Sequence, residues 1–421
     1  MYQEIKMKKN ITFLFGLVCF GILGCASSKK NDNIGLELDS VQVQTTTSAT
    51  STRRFTEANN EFAYKTFSDI LTDYSTGNIG YINGKNIVYS PYSYIRALSL
   101  FNKIAEPFNS PLMEIVRKFD YEEIGTLHNI VSADILLLND RFYKAKALEK
   151  NMSVLPFPKQ AEAESIKLQN NILKEVLLEP KYDKDMACVV INATRFLGYW
   201  LDSFNKYATS KQDFTLVSGK KIKSDIMSCT ITDTQGFEDN DVALTFKSLS
   251  ETSEDKSITS NVYVIVPKTD GLDEKSAKAK IANVACNIKK YLENLETYDK
   301  VFLRLPKIKT KTSIDLLEMA DAHGYKLRGN GKFHTKYLDR IKDISEGISG
   351  IRQVASLEID EEKVEAKAVT EIVTKATAVA PQQQQRILYV NADVPHFIVI
   401  TSVEDGVETI SFMCLITEPS V

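Results

Sequence analysis

Residues 361–386 read EEKVEAKAVTEIVTKATAVAPQQQQR, a strand-like run set beside low-complexity filler. Alternate residues from Val364 are Val364, Ala366, Ala368, Thr370, Ile372, Thr374 and Ala376, all uncharged and mostly small. The intervening Glu365, Lys367, Val369, Glu371, Val373, Lys375 and Thr377 carry every charge. A period of two held over fourteen residues predicts a strand with one buried and one exposed face. At about 3.3 Å per residue it would run to roughly 45 Å, against a usual strand of about 5 to 6 residues. Ala and Thr fill a core poorly, and they suit a strand that slides between two neighbours already packed. The four glutamines read as spacer before a final apolar run with the character of core.

The whole chain has 421 residues, 43% hydrophobic and 25% charged, which is enough apolar material for a large core and excludes disorder as the overall state. A net charge of −3, with no basic run beyond Lys8-Lys9 and Lys220-Lys221, gives no pull toward nucleic acid, and no nucleic-acid partner is expected. From Met7, MKKNITFLFGLVCFGILGC pairs a short basic region with an apolar run over 11–23 that is too short to span a bilayer comfortably. This predicts a signal peptide over residues 1–24. Ile22-Leu23-Gly24-Cys25 resembles a bacterial lipobox, so Cys25 is expected to carry lipid and begin the mature chain; the alternative is a simple cleaved signal with an incidental Cys. Residues 25–54, rich in Ser, Thr, Asn and Lys, read as a flexible tether, and 55–421 as one folded domain.

Within that domain, Phe62, Thr66, Phe67, Ile70, Leu71 and Tyr74 recur at helical spacing and predict a helix ending near Gly77. Ser90-Pro91 and Ser110-Pro111 each pair a capping residue with a first-turn proline. Helices are expected over 161–178, 275–295 and 313–323. Strands are expected in VSADILLLND, CVVINATRFLGYW, VALTFKSL, NVYVIVP, KVFLRLP, ASLEID, PHFIVITSV and TISFMCLI. Hairpin-linked strands without regular strand-helix alternation argue for an α+β fold. Chemistry is sparse. Beyond the signal four cysteines remain, Cys188, Cys229, Cys286 and Cys414; Cys188 and Cys414 lie in apolar runs and read as buried free thiols, and no Cys-x-x-Cys occurs. His128, His323, His334 and His396 lack metal-ligand spacing, so no metal is expected. Gly329-Asn330-Gly331 is a surface turn rather than a phosphate loop, and Glu238-Asp239-Asn240-Asp241 lacks the glycine and closing glutamate of a calcium loop. No Gly-x-Ser-x-Gly elbow is present, and the reading tilts away from an enzyme.

The opening stretch and its surroundings resemble a serpin. LEIDEEKVEAKAVTEIV is similar to the family's hinge through Glu361, Glu362, Lys363, Val364, Glu365, Ala366 and Ala368. NIVYSPYSYIRALSL resembles the Ser-Pro-x-Ser helix start through Ser90, Pro91 and Ser93. VINATRFLGYW resembles the Asn-Ala-x-x-Phe-x-Gly-x-Trp strand through Asn192, Ala193, Phe196, Gly198 and Trp200. FLRLPKIKTKTSIDL carries Leu305, Pro306, Lys307, Asp315 and Leu316, while NADVPHFIVI and ISFMCLITEP are similar to the closing strands. The matches keep family order from about Phe55 to Val421. The resemblance implies three β-sheets, about eight to nine helices and an exposed reactive-centre loop over about 361–390. It also implies a sheet-opening region that includes Ser90, Ser93, Asn192 and Gln353.

The mechanism implied is suicide inhibition. A serine or cysteine protease attacks the loop and forms an acyl-enzyme, and the freed arm inserts as a new strand. Counting from Glu361 places the scissile bond at Thr377-Ala378, which suits an elastase-like protease; cuts after Lys375, suiting a trypsin-like one, or after Ala376 compete. Several residues depart from the family pattern. Lys363 replaces the hinge glycine, Lys367 stands among small residues, Gln353 replaces a frequent His, and His396 and Cys414 stand where Phe and Gly are usual. The expected protein is a monomer without cofactor or glycosaminoglycan partner. It is exported and lipid-anchored at the bacterial outer membrane or cell surface. The alternative is a non-inhibitory serpin-fold surface lipoprotein that binds a partner, and Lys363 is the residue that favours it.

Overall fold

The computed structural model describes residues 49–104, 110–124, 127–139, 153–157, 188–255, 257–327, 349–364 and 385–419, with helical positions at 163, 166, 167 and 170. Helix α1 (Ala49–Thr76) buries Phe62, Thr66, Phe67, Ile70 and Leu71, the expected stripe, and stops at Gly77, whose φ of +82° favours glycine. Strands β1 (Ile82–Asn83) and β2 (Ile87–Tyr89) lead to α2 (Pro91–Ile104), capped by the Ser90 hydroxyl, which accepts the Ser93 N–H at 3.3 Å. Helix α3 (Pro111–Val116) has the proline start without the cap: Ser110 Oγ is buried and partnerless among the described residues.

Next come β3 (Ile130–Asn139), β4 (Ser153–Phe157), β5 (Cys188–Phe196), β6 (Gly198–Trp200), β7 (Ser210–Thr215), β8 (Lys221–Glu238), β9 (Val242–Ser250) and β10 (Ser260–Pro267). The helix expected over 275–295 is two, α4 (Glu274–Cys286) and α5 (Ile288–Leu292), broken at Asn287. After β11 (Glu296–Pro306) and β12 (Ile308–Asp315), the helix expected from Ser313 begins later, as α6 (Leu316–Ala322). Ser313 and Ile314 still pair with β1, and the Asp315 carboxylate accepts the N–H groups of Leu317 and Glu318 at 3.1 Å, which fixes the helix start. The chain closes with β13 (Gly350–Ile359), β14 (Lys363–Val364), β15 (Ile387–Asn391), β16 (His396–Glu404) and β17 (Val407–Ile416). The helix over 161–178 falls mostly outside the described residues, and so does all of the long strand beyond Val364.

The strands form an α+β architecture. One six-stranded sheet has the order β1-β12-β13-β5-β3-β4; the other runs β15-β11-β8-β9-β10-β16-β17-β2, with β6, β7 and β14 as side pairings. Two of the three expected sheets are thus joined by one continuous ladder, because β8 is 18 residues long and passes from β7 and β11 to β9. At that crossing a Cβ on Gly236 would lie 2.5 Å from Leu388 Cδ2 and 2.8 Å from the Leu244 carbonyl oxygen, so no larger residue fits without movement. Among the described residues there are six α-helices. Two apolar clusters make the core. One packs α1 and α2 against Tyr89, Phe397 and Met413; the other gathers Trp200, Phe204, Leu303, Leu357, Ile359, Leu388 and Phe412.

Candidate functional site

The site is a seam. β13 lies directly beside β5 in parallel, with seven register pairs from Gly350↔Val189 to Ser356↔Arg195. The ladder stops there, and Leu357, Glu358 and Ile359 pair only with β12 on their other side. Just beyond, the chain turns: Asp360 N–H donates to the Lys363 carbonyl, and the Asp360 carboxylate accepts the N–H groups of Glu362 and Lys363, all at 2.9 Å. A segment leaving β13 through that turn can lie in the seam only antiparallel to β13, and hence antiparallel to β5. Insertion would replace one parallel ladder, the slightly weaker kind, by two antiparallel ones.

A polar lock crosses the seam from α2. Ser90 N–H donates to Gln353 Oε1 at 2.9 Å and Gln353 Nε2 donates to the Ser90 carbonyl at 2.7 Å, while Ser90 Oγ donates to the Ser411 carbonyl at 2.8 Å. The hydroxyls of Ser93 and Thr194 share a hydrogen bond. Ser90, Ser93, Thr194 and Gln353 are all fully buried. The first turn of α2 therefore holds β13 through Gln353 and β5 through Thr194. Of the four residues expected at the opening, the backbone of Asn192 lies opposite Gln353, and its side chain lies outside the described residues. Thr194 was missed, although it sits two positions from Asn192 on one face of the strand. A buried polar group left unpaired costs about 1–3 kcal/mol, so the lock resists opening until its partners are replaced.

The hinge is gripped where it leaves β13. Trp200 Nε1 donates to the Asp360 carbonyl at 2.9 Å, Phe204 N–H to the Glu361 carbonyl at 2.8 Å, and Trp200 N–H to the Glu362 carbonyl at 3.3 Å. Glu361 is 7% exposed and accepts from Lys307 Nζ at 2.9 Å. Burial alone would raise its pKa, but the Lys307 ammonium and a backbone N–H outweigh it and hold the carboxyl below its usual range. Glu362 pairs with Lys206 and raises the lysine's pKa. Lys363 and Val364 form β14 against β6 with pairs Lys363↔Tyr199 and Val364↔Gly198, and Val364 is buried. Lys363 thus sits in ordinary extended backbone, which needs none of the freedom of the glycine it replaces. Glu365, Ala366, Ala368 and the candidate bonds from Lys375 to Ala378 lie outside the described residues.

The far end of the loop is also tied down. Arg386 N–H donates to Asp299 at 2.6 Å, its guanidinium pairs with Glu296 and lies 4.7 Å from the Tyr298 ring centroid, and β15 then joins β11 in parallel. The family departures fall in the core. His396 is completely buried; its Nδ1 lies 2.8 Å from the Val394 carbonyl, its Nε2 has no partner among the described residues, and burial pushes its pKa down to about 4. Burial likewise pushes the Cys414 thiol up to about 12. In the acidic loop, Glu238 pairs with Lys268 at 2.8 Å, Asp241 pairs with Lys280, and Asp239 caps its own turn. Among the described residues no group of His, Cys, Asp and Glu could hold a metal.

A model of the serpin (serine protease inhibitor) family matches residues 137–419. The chain belongs to the serpin family. It is 24% identical over 341 residues to alaserpin of Manduca sexta, covering 74% of this chain and 83% of that protein. Among solved structures it is similar to Arabidopsis AtSerpin1 in its native stressed conformation, at a TM-score of 0.63 and 16% identity, covering 86% of this chain and 98% of that one. It is also similar to human thyroxine-binding globulin, at a TM-score of 0.65 and 17% identity, covering 88% of this serpin and 100% of that chain. At such identities these structures speak for the fold alone. Serpins are inhibitors of proteases or binding proteins rather than enzymes.

Proposed function

We propose that this serpin is a suicide inhibitor of serine proteases, and of cysteine proteases that use the same acyl-enzyme chemistry. The observation that carries the reading is the seam: a parallel β13–β5 ladder closed by a polar lock, unpaired at the end where the hinge turns off. Strand addition to a sheet edge is a general mode of recognition, and serpin loop insertion is itself a recognised instance of it and of strain released by a cut. Attack on the Thr377-Ala378 bond, or after Lys375 or Ala376, gives the acyl-enzyme and frees the arm. The arm enters beside Leu357–Ile359, with Val364, Ala366 and Ala368 turned inward. The protease is carried along, its active site is distorted, and the inhibitor is consumed. The reading extends to place: residues 1–24 as signal peptide, lipid on Cys25, residues 25–54 as tether, and export to a bacterial outer membrane or cell surface, where the domain shields the cell from proteases.

The test mixes the chain with trypsin, elastase, subtilisin and papain and looks for a covalent complex that survives boiling in detergent. A complex with at least one of them supports the reading; nicking of the loop with no complex contradicts it. The second reading, a binding lipoprotein that does not inhibit, is favoured by Lys363, which is at ease in β14 but lacks the freedom of a glycine if the hinge must change conformation to insert. It expects a nicked loop and no gain in heat resistance.

A further inference from the structure

Lys247 is 8% exposed and stands on β9 in the file Ala243, Thr245, Lys247 and Leu249, which faces the second apolar cluster. Burying an ammonium there is costly, and among the described residues no carboxylate forms an ion pair with it. Its neighbours are aromatic: Nζ lies 5.1 Å from the Phe204 ring centroid and 5.9 Å from that of Trp200. The two rings meet edge to face at 5.5 Å. A cation is drawn to the negative face of an aromatic ring, most strongly where water is excluded. Those same two residues donate to the carbonyls of Asp360, Glu361 and Glu362, three consecutive hinge positions. Lys247 therefore touches the two residues that grip the hinge.

We propose that Lys247 is a positioning residue for the hinge: its charge anchors the rings of Trp200 and Phe204, aiming the Trp200 indole at the Asp360 carbonyl and steadying the two main chains that hold Glu361 and Glu362, and so sets how readily the hinge lets go. The role in inhibition rests on the insertion reading above; the grip itself stands without it. Trp200 is the chain's one tryptophan, so its emission reports from this place and no other.

The test uses the full chain with Lys247→Met, which keeps length and apolar contact, and Lys247→Arg, which keeps the charge. Two quantities are read in the intact protein: the Trp200 emission maximum, and the hydrogen-exchange rates of the Trp200 and Phe204 amides, which donate to the hinge carbonyls of Glu362 and Glu361, relative to those of β10 and β16. Lys247→Met is expected to shift the emission and speed hinge exchange roughly 3- to 30-fold, the range from an exposed to a desolvated cation–aromatic contact, while β10 and β16 stay unchanged. Lys247→Arg is expected to restore both to within about twofold, as a retained cation–aromatic contact should. Unchanged emission and hinge exchange in Lys247→Met would overturn the proposal, and so would equal acceleration in the hinge and the core strands. If Lys247→Met does not fold, Phe204→Leu removes the same contact from the aromatic side and is read in the same way. The fraction of protease trapped rather than released is scored separately. No trapping by the wild type would sink the inhibitory reading while leaving the exchange result for Lys247 intact.

Discussion

Two central seams of this molecule contrast. Between β10 and β16 the pairing is antiparallel, from Ser260↔Ser402 to Ile265↔Phe397, and apolar on both faces, with Val262, Val264, Ile398 and Ile400 in one cluster and Ile265, Phe397 and Val399 in the other. Between β13 and β5 the pairing is parallel, stops at Ser356, and is bridged by Ser90, Ser93, Thr194 and Gln353. Opening the first would return apolar surface to water at about 25 cal/mol per Å², with nothing to take its place. Opening the second breaks hydrogen bonds that an incoming strand can remake. On the insertion reading, the seam that parts is bridged by polar groups, and the seam that stays whole is held by packing.

Several substitutions bear on that contrast, the largest effect first. Ala368→Arg puts a charge on the face that would be buried under the new strand; complex formation should be lost and the protein nicked as a substrate, as read on a denaturing gel. Retained complex would contradict the face assignment. Ile400→Ala, in the fixed seam, should cost about 2–5 kcal/mol of unfolding free energy through the cavity it leaves, yet leave the fraction of protease trapped unchanged at a temperature where the variant is folded. A changed fraction would mean that the two seams are coupled.

His396 gives a pH test at the foot of the fixed seam. Its folded pKa, about 4, lies below the ordinary 6.5, so the unfolded chain takes up the proton first. Stability is therefore whole above about 6.5, falls as the pH drops through that value, and has lost its full share near 4, about 3 kcal/mol for such a gap. His396→Phe should remove that share, so that variant and wild type diverge between pH 6.5 and 4 in unfolding measurements. Parallel curves would contradict it. Gln353→Ala acts on the opening seam and orphans the N–H of Ser90, whose carbonyl keeps the Tyr94 N–H at 3.2 Å, at about 1–3 kcal/mol for the group left unpaired. The native melting temperature should fall while that of the nicked form barely moves. Equal losses in both forms would show that Gln353 is ordinary core.

The regular parts of this design were legible in the chain. The stripe of α1, the serine-proline start of α2 and the runs of β9, β10, β16 and β17 all follow from short periods. Residues 313–315 misled, because a polar strand end and a helix cap share the same residues. β8 went unread, since few of its 18 residues are fully buried and Thr230, Thr232 and Asp233 leave little alternation in hydrophobicity. The lock was legible only through the family resemblance: Gln353 and Ser90 stand 263 residues apart, and nothing local says they meet. Lys247 was hidden for the opposite reason. A lysine in an apolar strand reads as a solvated position until the fold shows both faces of β9 covered.

The most direct measurement is the structure of the protein after a single cut in the loop. The spacing of β13 and β5 at Gln353 and Asn192 should double from one strand separation, about 4.8 Å, to about 9.6 Å, with residues 365–374 paired antiparallel to both. If the two strands remained neighbours with the cut arm outside the sheet, the seam would be no more than an ordinary parallel pairing and the account would fail.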